Sequence, residues 1–252
     1  MSRIIIADPH GCYKTLKALI KQLPKGVPIT IAGDLVDRGP QSRQIVKMVR
    51  GRGYDCIKGN HEDMMCNEIT FKDNVMIVDY YRSGFISNGG IATLKSYDIE
   101  IHPESHCVGG KARVKLRKPQ LRWLKGDIEW MKNLPLYIEY PELVNDEDQH
   151  LLVSHSTAGD IWQNRDSENQ VQNLNFEFQI MWGRKSMPKK IPDIFNVYGH
   201  TPQKKGAHIG DYFANIDTGA YYQSIGVMTA LQFPEMKLFT QKNIEEKTRL
   251  IL

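Results

Sequence analysis

Short runs of β-branched and aliphatic residues recur along this chain, and each stops at a polar cluster. Ile4-Ile5-Ile6 ends at ADPHG, Ile29-Thr30-Ile31 at AGDLVDRG, and Tyr54 to Ile57 at KGNHE. The arrangement returns at Leu151-Leu152-Val153 before SHS, at Phe195 to Tyr198 before GHT, and at Phe213 to Ile216 before DTG. Such runs, bounded by turn signals, predict buried strands that feed loops. Helical spacing appears between the early strands, with Leu16, Leu19, Ile20 and Leu23 inside Tyr13 to Leu23, and Ile45, Met48 and Val49 inside Ser42 to Arg50. Alternating strands and helices predict an α/β fold. Ligands in open α/β sheets bind beyond the carboxyl ends of strands, where the Asp, His and Asn clusters fall.

Residues 64 to 118 break this rhythm and are expected to form an inserted helical and basic segment beside the site. They hold the aromatic residues Tyr80, Tyr81 and Phe85, a turn-like SNGG at 87 to 90, and the run KARVKLRK at 111 to 118. In that run Lys111, Arg113, Lys115 and Arg117 alternate with Ala112, Val114 and Leu116, as on a strand with one basic face. The ordinary reading is a solvated surface; the sharper one is attraction of an acidic phosphopeptide or an RNA end. A helix is predicted over Pro119 to Asn133, with Leu121, Leu124, Ile128 and Met131 on one face. The strand-like LPLYIEY and an exposed acidic loop, Glu142 to Asp148, follow.

With 252 residues, 41% of them hydrophobic and 25% charged, the chain can bury a sizeable core, and one domain over 1–252 is expected. No apolar run approaches the roughly 18 residues of a membrane span, and the start MSRIIIADPHG lacks the sections of a secretory signal. A cytoplasmic monomer with no membrane partner is the expectation. Cys12, Cys56, Cys66 and Cys107 show no CxxC spacing, so they suggest neither a zinc knuckle nor a disulfide framework. The net charge of +4 favours anionic ligands only mildly. Gly109-Gly110-Lys111 fails as a phosphate loop, because Ser105 and Ala112 stand where the pattern needs glycine and a hydroxyl.

Six candidate metal ligands, Asp8, His10, Asp34, Asn60, His155 and His200, come from five loops that each follow a predicted strand. Carboxylate, imidazole and carboxamide donors suit Mn²⁺, Fe²⁺ or Zn²⁺, and the lack of thiolates argues against a structural zinc site. Pro9 is expected to hold Asp8 extended, so that Asp8 and His10 reach one metal. Asp34 is the natural bridge, since one anion shared by two dications lessens their repulsion, and Asn60, His155 and His200 are expected to complete the coordination of the second metal. Two metals about 3.5–4 Å apart can share a water and clamp the attacking and leaving oxygens of an in-line displacement. Charge spreads over the equatorial phosphoryl oxygens, which calls for aimed cations. Arg38, Arg184 and Lys58 are the candidates, with Asn60 as a further phosphate contact; a guanidinium fork matches two oxygens at once. An alkoxide leaving group needs a proton, and His61, held by Asp37, fits that task.

With these residues assembled, the chain resembles the phosphoprotein phosphatase branch of the calcineurin-like metallophosphoesterases, especially its bacteriophage and bacterial members. The matching segments are DPHG at 8 to 11, GDLVDRG at 33 to 39, GNHE at 59 to 62, SH at 154 to 155, WGR at 182 to 184 and GHT at 199 to 201. SNGGIATLKSY at 87 to 97 and WMKNLPLYI at 130 to 138 also look like bacterial members. The resemblance implies a β-sandwich flanked by helices, two divalent ions with manganese expected, and direct attack of a metal-bridging water or hydroxide on phosphomonoesters. It implies the same ligand set, Arg38 and Arg184 as phosphate binders, and His61 with Asp37 as the acid pair. A phage-encoded member would act in the host cytoplasm. Two departures stand out: Pro9 between the first two ligands, and Lys58 where many protein phosphatases have arginine.

The leading reading is therefore a serine/threonine protein phosphatase, tolerant of phosphotyrosine and small phosphomonoesters. The alternative is a nucleotide or RNA-end phosphohydrolase, such as a symmetrical diadenosine tetraphosphatase. A third reading, an inactive phosphate-binding scaffold, is opposed by the intact His61, Asp37 and ligand set.

Overall fold

The structure is a computed structural model that describes residues 1–246; the last residues of the expected 1–252 domain lie outside the described residues. The chain begins with β1 (Arg3–Ile6), α1 (Tyr13–Ile20), β2 (Ile29–Ile31), α2 (Ser42–Arg52), β3 (Asp55–Cys56) and α3 (Asn60–Glu68). Next come β4 (Thr70–Lys72), β5 (Val75–Asp79), α4 (Ile91–Ser96), α5 (Pro103–His106), β6 (Cys107–Val108) and β7 (Lys111–Lys115). The remainder comprises α6 (Lys118–Lys132), β8 (Tyr137–Val144), β9 (His150–Ser154), α7 (Gln170–Trp182), β10 (Ile194–Tyr198), β11 (His208–Ile209), β12 (Phe213–Asn215), β13 (Val227–Phe233) and β14 (Lys237–Lys242).

One sheet runs in the order β14-β13-β1-β2-β3, with β1, β2 and β3 parallel and β13 antiparallel to β1. The other runs β11-β12-β10-β9-β8, with β9, β10 and β12 parallel and antiparallel strands at both edges. Side-chain alternation decides how these sheets stack. Ile5, Ala32, Ile57, Leu231 and Phe233 of the first sheet share one buried cluster with Leu151, Val153, Phe195 and Val197 of the second. The intervening Ile4 and Ile6 face the opposite way, into a cluster with Leu16, Leu19, Ile45 and Val49 of α1 and α2. Likewise Leu152 and Ile194 turn outward onto Phe176 and Ile180 of α7. Each such side chain contributes about 1.5–3 kcal/mol on burial, so both faces of both sheets are held. The result is a β-sandwich flanked by helices, and it sets the loops after β1, β2, β3, β9 and β10 along one seam.

The region between the early and late strands departs from expectation in detail. The stretch 64–118 begins inside α3, which starts at Asn60, so its first residues continue a helix that carries site residues. Beyond it, β4-β5-β7-β6 form a separate small sheet. Within that sheet Lys111, Arg113 and Lys115 are exposed while Ala112 and Val114 are buried, the one-sided basic strand that the alternation predicts. The acidic segment Glu142 to Asp148 is not all loop, because β8 continues to Val144 and Leu143 is buried. A registry shift between Tyr140 and Val144 lets the strand carry its acidic residues outward while still pairing with β9.

The turn-like SNGG forms a kinked π-helical turn over Ile86–Gly90. Gly89 sits there at φ 106, and a Cβ would lie 2.6 Å from the Arg38 backbone nitrogen, which donates to the Gly89 carbonyl at 3.4 Å. Only glycine combines this backbone conformation with so close an approach. Gly89→Ala is expected to destabilise the fold by about 1–3 kcal/mol and, by displacing Arg38, to lower kcat/KM on an aryl phosphate roughly 10- to 100-fold. Thermal melting beside steady-state kinetics checks both effects.

Candidate metal centre

Asp8 and His10 follow β1, Asp34 follows β2, Asn60 and His61 open α3, and His155 and His200 follow β9 and β10. Folding brings His10, Asp34, Asn60, His61, His155 and His200 into two buried groups that share Asp34. In the first, the ligand atoms of His10, Asp34 and His61 lie within 4.8 Å of one another. Asp34 Oδ2 is 3.4 Å from His10 Nε2 and 3.9 Å from His61 Nε2. The second group comprises Asp34, His155 and His200, with Asp34 Oδ1 3.3 Å from His155 Nε2. Asn60 Oδ1 joins it, 3.0 Å from both His155 Nε2 and His200 Nδ1.

Second-layer bonds aim the imidazoles. His10 Nδ1 donates to the Val36 carbonyl at 2.9 Å, and His155 Nδ1 to the Ala32 carbonyl at 2.8 Å. Protons held on Nδ1 leave the Nε2 atoms to face the cluster. His61 Nδ1 donates to Asp37 Oδ2 at 2.6 Å, and Asp37 is fixed in turn by the Thr93 hydroxyl at 2.8 Å and by its own amide on Thr93 and Ser42. His200 Nε2 is buried without a hydrogen-bond partner.

The electrostatics suit cations. Burial, then Asp217, pushes the Asp8 carboxyl well above its usual range. Burial with the neighbouring Asp34 charge lifts Glu62 to about 7, and burial lifts Asp217 to about 6. Asp34 goes the other way: burial opposes its charge, but the imidazoles, His155 foremost, hold it well below the usual carboxylate range. His155 mirrors this, since burial works against its proton while Asp34 raises it to about 10. His200 is driven down to about 3 by burial, the His155 charge and, more weakly, the Arg184 charge. Buried carboxylates crowded among inward-facing imidazole nitrogens and a carboxamide oxygen form groups that could hold cations, and nitrogen and oxygen donors of these types suit intermediate divalent metals. Two groups sharing one carboxylate fit two ions.

Several residues sit otherwise than the sequence suggests. Asp8 is not extended but left-handed, at φ 50. Pro9 disfavours only the right-handed helical region for its predecessor, and aspartate tolerates the left-handed one. In that conformation both Asp8 carboxylate oxygens accept the His200 amide at 3.1 Å, and Asp8 belongs to neither group of close ligand atoms. Lys58 points elsewhere: its ammonium donates to the Lys132 carbonyl at 2.9 Å, where the open carbonyls of the α6 terminus attract a cation. Arg38 lies at the first group, donating to His10 Nε2 at 2.7 Å and to His61 Nε2 at 3.0 Å, with its guanidinium 4.2 Å above the Tyr221 ring. Arg184 is exposed just beyond α7, close enough for its charge to act on His200.

Residues 1–215 match the Metallophos family of calcineurin-like phosphoesterases. The chain belongs to that family. An asymmetrical bis(5'-nucleosyl)-tetraphosphatase, PrpE, of Halalkalibacterium halodurans is 26% identical over 278 residues, covering 97% of each chain. Among solved structures, one described as a putative diadenosine tetraphosphatase aligns with TM-score 0.55 and 18% identity over 95% of this chain and 92% of its own. A protein serine/threonine phosphatase of Saccharomyces cerevisiae, similar to human PP5, aligns with TM-score 0.52 and 12% identity over 98% and 81%. Among the described residues no helix is long and apolar enough to cross a membrane.

This calcineurin-like phosphoesterase also enlists residues that the motif reading passed over. Asp217, in the DTG cluster after β12, is buried beside Asp8 and Asp34; its strand-end position was its only signal. Tyr221 sets its ring edge-on to His10 at 5.2 Å besides carrying Arg38, and nothing in its local sequence marks it. Glu62 is fully buried and accepts four backbone amides, those of Asp34, Leu35, Val36 and Gly59, at 2.8 to 3.3 Å. Its place three residues after the N-cap Gly59 is half of a capping box, which the sequence does display. Glu62→Gln replaces an acceptor oxygen by a donor facing N–H groups. The expected cost is about 1–3 kcal/mol for each amide left unpaired, measured as a lower urea midpoint with unchanged slope.

Proposed function

We propose that this chain is a two-metal phosphohydrolase whose substrate is a dinucleoside polyphosphate or related nucleotide. The observation that carries the hydrolytic reading is Asp34, whose two oxygens face separate histidine groups, the arrangement needed to hold a pair of cations. His10 and Asp34 are the candidates for one ion, and Asp34, Asn60, His155 and His200 for the other, with Asp8 and Asp217 as adjacent negative charges. Two divalent cations, when bound, supply an activated water and a clamp on phosphate oxygens. Manganese is the proposed metal, with Fe²⁺ and Zn²⁺ as alternatives on the same donor chemistry.

The chain's own groups supply the rest. Arg38 donates to the His10 and His61 Nε2 atoms, and the His10 lone pair cannot serve arginine and a cation at once, nor the His61 nitrogen arginine and a transferable proton. With the site loaded, the guanidinium, which lies over the Tyr221 ring, would be free to turn from these imidazoles to phosphate oxygens. Arg184 meets the substrate from the exposed side. His61, with Asp37 on Nδ1, is placed to deliver a proton to the leaving group.

Full-length similarity to a bis(5'-nucleosyl)-tetraphosphatase supports the nucleotide reading over the protein phosphatase that the motifs alone put first. The two substrates also make different demands. A serine alkoxide is strongly basic and leaves only with a proton, whereas a nucleotide phosphate is a weakly basic leaving group. His61→Asn is thus expected to cut turnover about 10²–10⁴-fold on a phosphoserine peptide and far less on diadenosine tetraphosphate. Wild-type kcat/KM on diadenosine tetraphosphate should exceed that on the phosphopeptide and on 5'-phosphorylated RNA; a preference for the phosphopeptide would restore the protein phosphatase reading. Asp34→Asn should lower the bound metal of the purified protein from about two ions to one or none, read by elemental analysis.

A further inference from the structure

α2 carries Arg43, Lys47 and Arg50 at successive spacings of four and three residues, so the three cations project from one helix face. With Gly51 they line a cavity of about 550 Å³ whose other wall is Trp123 and Asp127 of α6. The cavity shares no residue with the metal centre. Its cations are unequally engaged. Arg50 donates to Asp127 and, at 3.3 Å, to the Gly126 carbonyl, while the other Asp127 oxygen accepts the Tyr97 hydroxyl at 2.8 Å. The one carboxylate in the wall is thus already used from two sides. The Arg43 guanidinium carbon lies over Trp123, 3.6 Å from the ring centre, and among the described residues neither its guanidinium nor the Lys47 ammonium has a carboxylate partner.

Helix stability does not account for this placement. Like charges one turn apart repel, and Arg43 occupies the first turn of α2, where the positive end of the helix dipole disfavours a cation. Its place over the indole satisfies none of its N–H donors, which are left to an acceptor from outside the chain. An anion of several oxygens, small enough for the cavity, meets both unpaired cations at once.

We infer that the α2–α6 cavity is a second anion site, built for a diphosphate group, whether free as pyrophosphate or carried by a nucleotide. Arg43 and Lys47 take the phosphate oxygens, and Arg50, held by Asp127, completes the positive wall. The inference does not rest on the reaction proposed for the metal centre.

Calorimetric titration of the full metal-loaded chain with pyrophosphate, ADP and adenosine tests it, in wild type, Lys47→Glu and Arg43→Gln. Pyrophosphate and ADP should each show a class of binding beyond the metal centre, and adenosine none. Either substitution should weaken that class about tenfold or more, leaving aryl-phosphate turnover unchanged. Tighter binding of ADP than of pyrophosphate would assign the nucleotide as the occupant, and equal binding the free anion. Lys47 is exposed and among the described residues makes no hydrogen bond or ion pair, so its variant keeps the test independent of folding. A single binding class in wild type, or a second class unaltered in both variants, would overturn the site.

Discussion

The negative charge of Asp34, 2% exposed, is the constraint around which the rest of this molecule is arranged. A buried carboxylate stays ionised only where positive charge or donors surround it. Its two oxygens turn toward different partners: Oδ2 toward His10 and His61, from loops of the first sheet, and Oδ1 toward His155, from the second. Asp34 therefore sits on the seam of the sandwich. The spacing of the two histidine groups is set by how Ile5, Ile57 and Phe233 pack against Leu151, Val153 and Phe195 several residues away. A close-packed layer between the sheets is what brings candidate ligands from distant sequence to one place.

Holding those loops requires strained backbone. Asp8, His10, Asp34, Asp37, Arg38 and His200 all have positive φ, from 38 to 73, and all belong to the candidate site. Each such non-glycine residue costs on the order of 1–3 kcal/mol, so the loops would relax unless something overrode them. Here Glu62 does part of that, gathering the amides that follow β2, and Asp8 gathers the His200 amide across the seam. Strain at these positions and satisfied hydrogen bonds beneath them are two aspects of one arrangement, in which local preference yields to the geometry of the site.

That conflict also explains what the sequence disclosed. The strands were legible because Ile4 to Ile6, Leu151 to Val153 and Phe195 to Tyr198 are buried on both faces and so carry uninterrupted apolar runs. The candidate ligands were legible because they stand in the loops that follow such runs. What escaped the reading depends on tertiary direction. The left-handed turn at Asp8, opposite to the extended form that Pro9 suggests, is imposed by a partner 192 residues away. Lys58 adjoins the ligands in sequence, yet its flexible stem finds the end of α6. Tyr221, Thr93 and Asp217 act on the site through neighbours far along the chain, and no spacing rule encodes such contacts.

The origin of each group suggests a division of labour within the proposed mechanism. The metal-facing groups hang from the sheets, and their geometry follows the sandwich core. Asp37, by contrast, is held by Ser42 at the start of α2 and Thr93 of α4, and the backbone of Arg38 rests on Gly89 just before α4. The proposed proton donor and phosphate clamp thus take their orientation from the helical layer. Because fold alone does not select a substrate, a sandwich common to nucleotide and protein phosphatases can keep its metal chemistry while changes in α2 and α4 retune which leaving group is served. In the proposed mechanism the leaving-group side of the reaction thus depends on contacts made by the helices, and the metal-facing side on the packing of the strands.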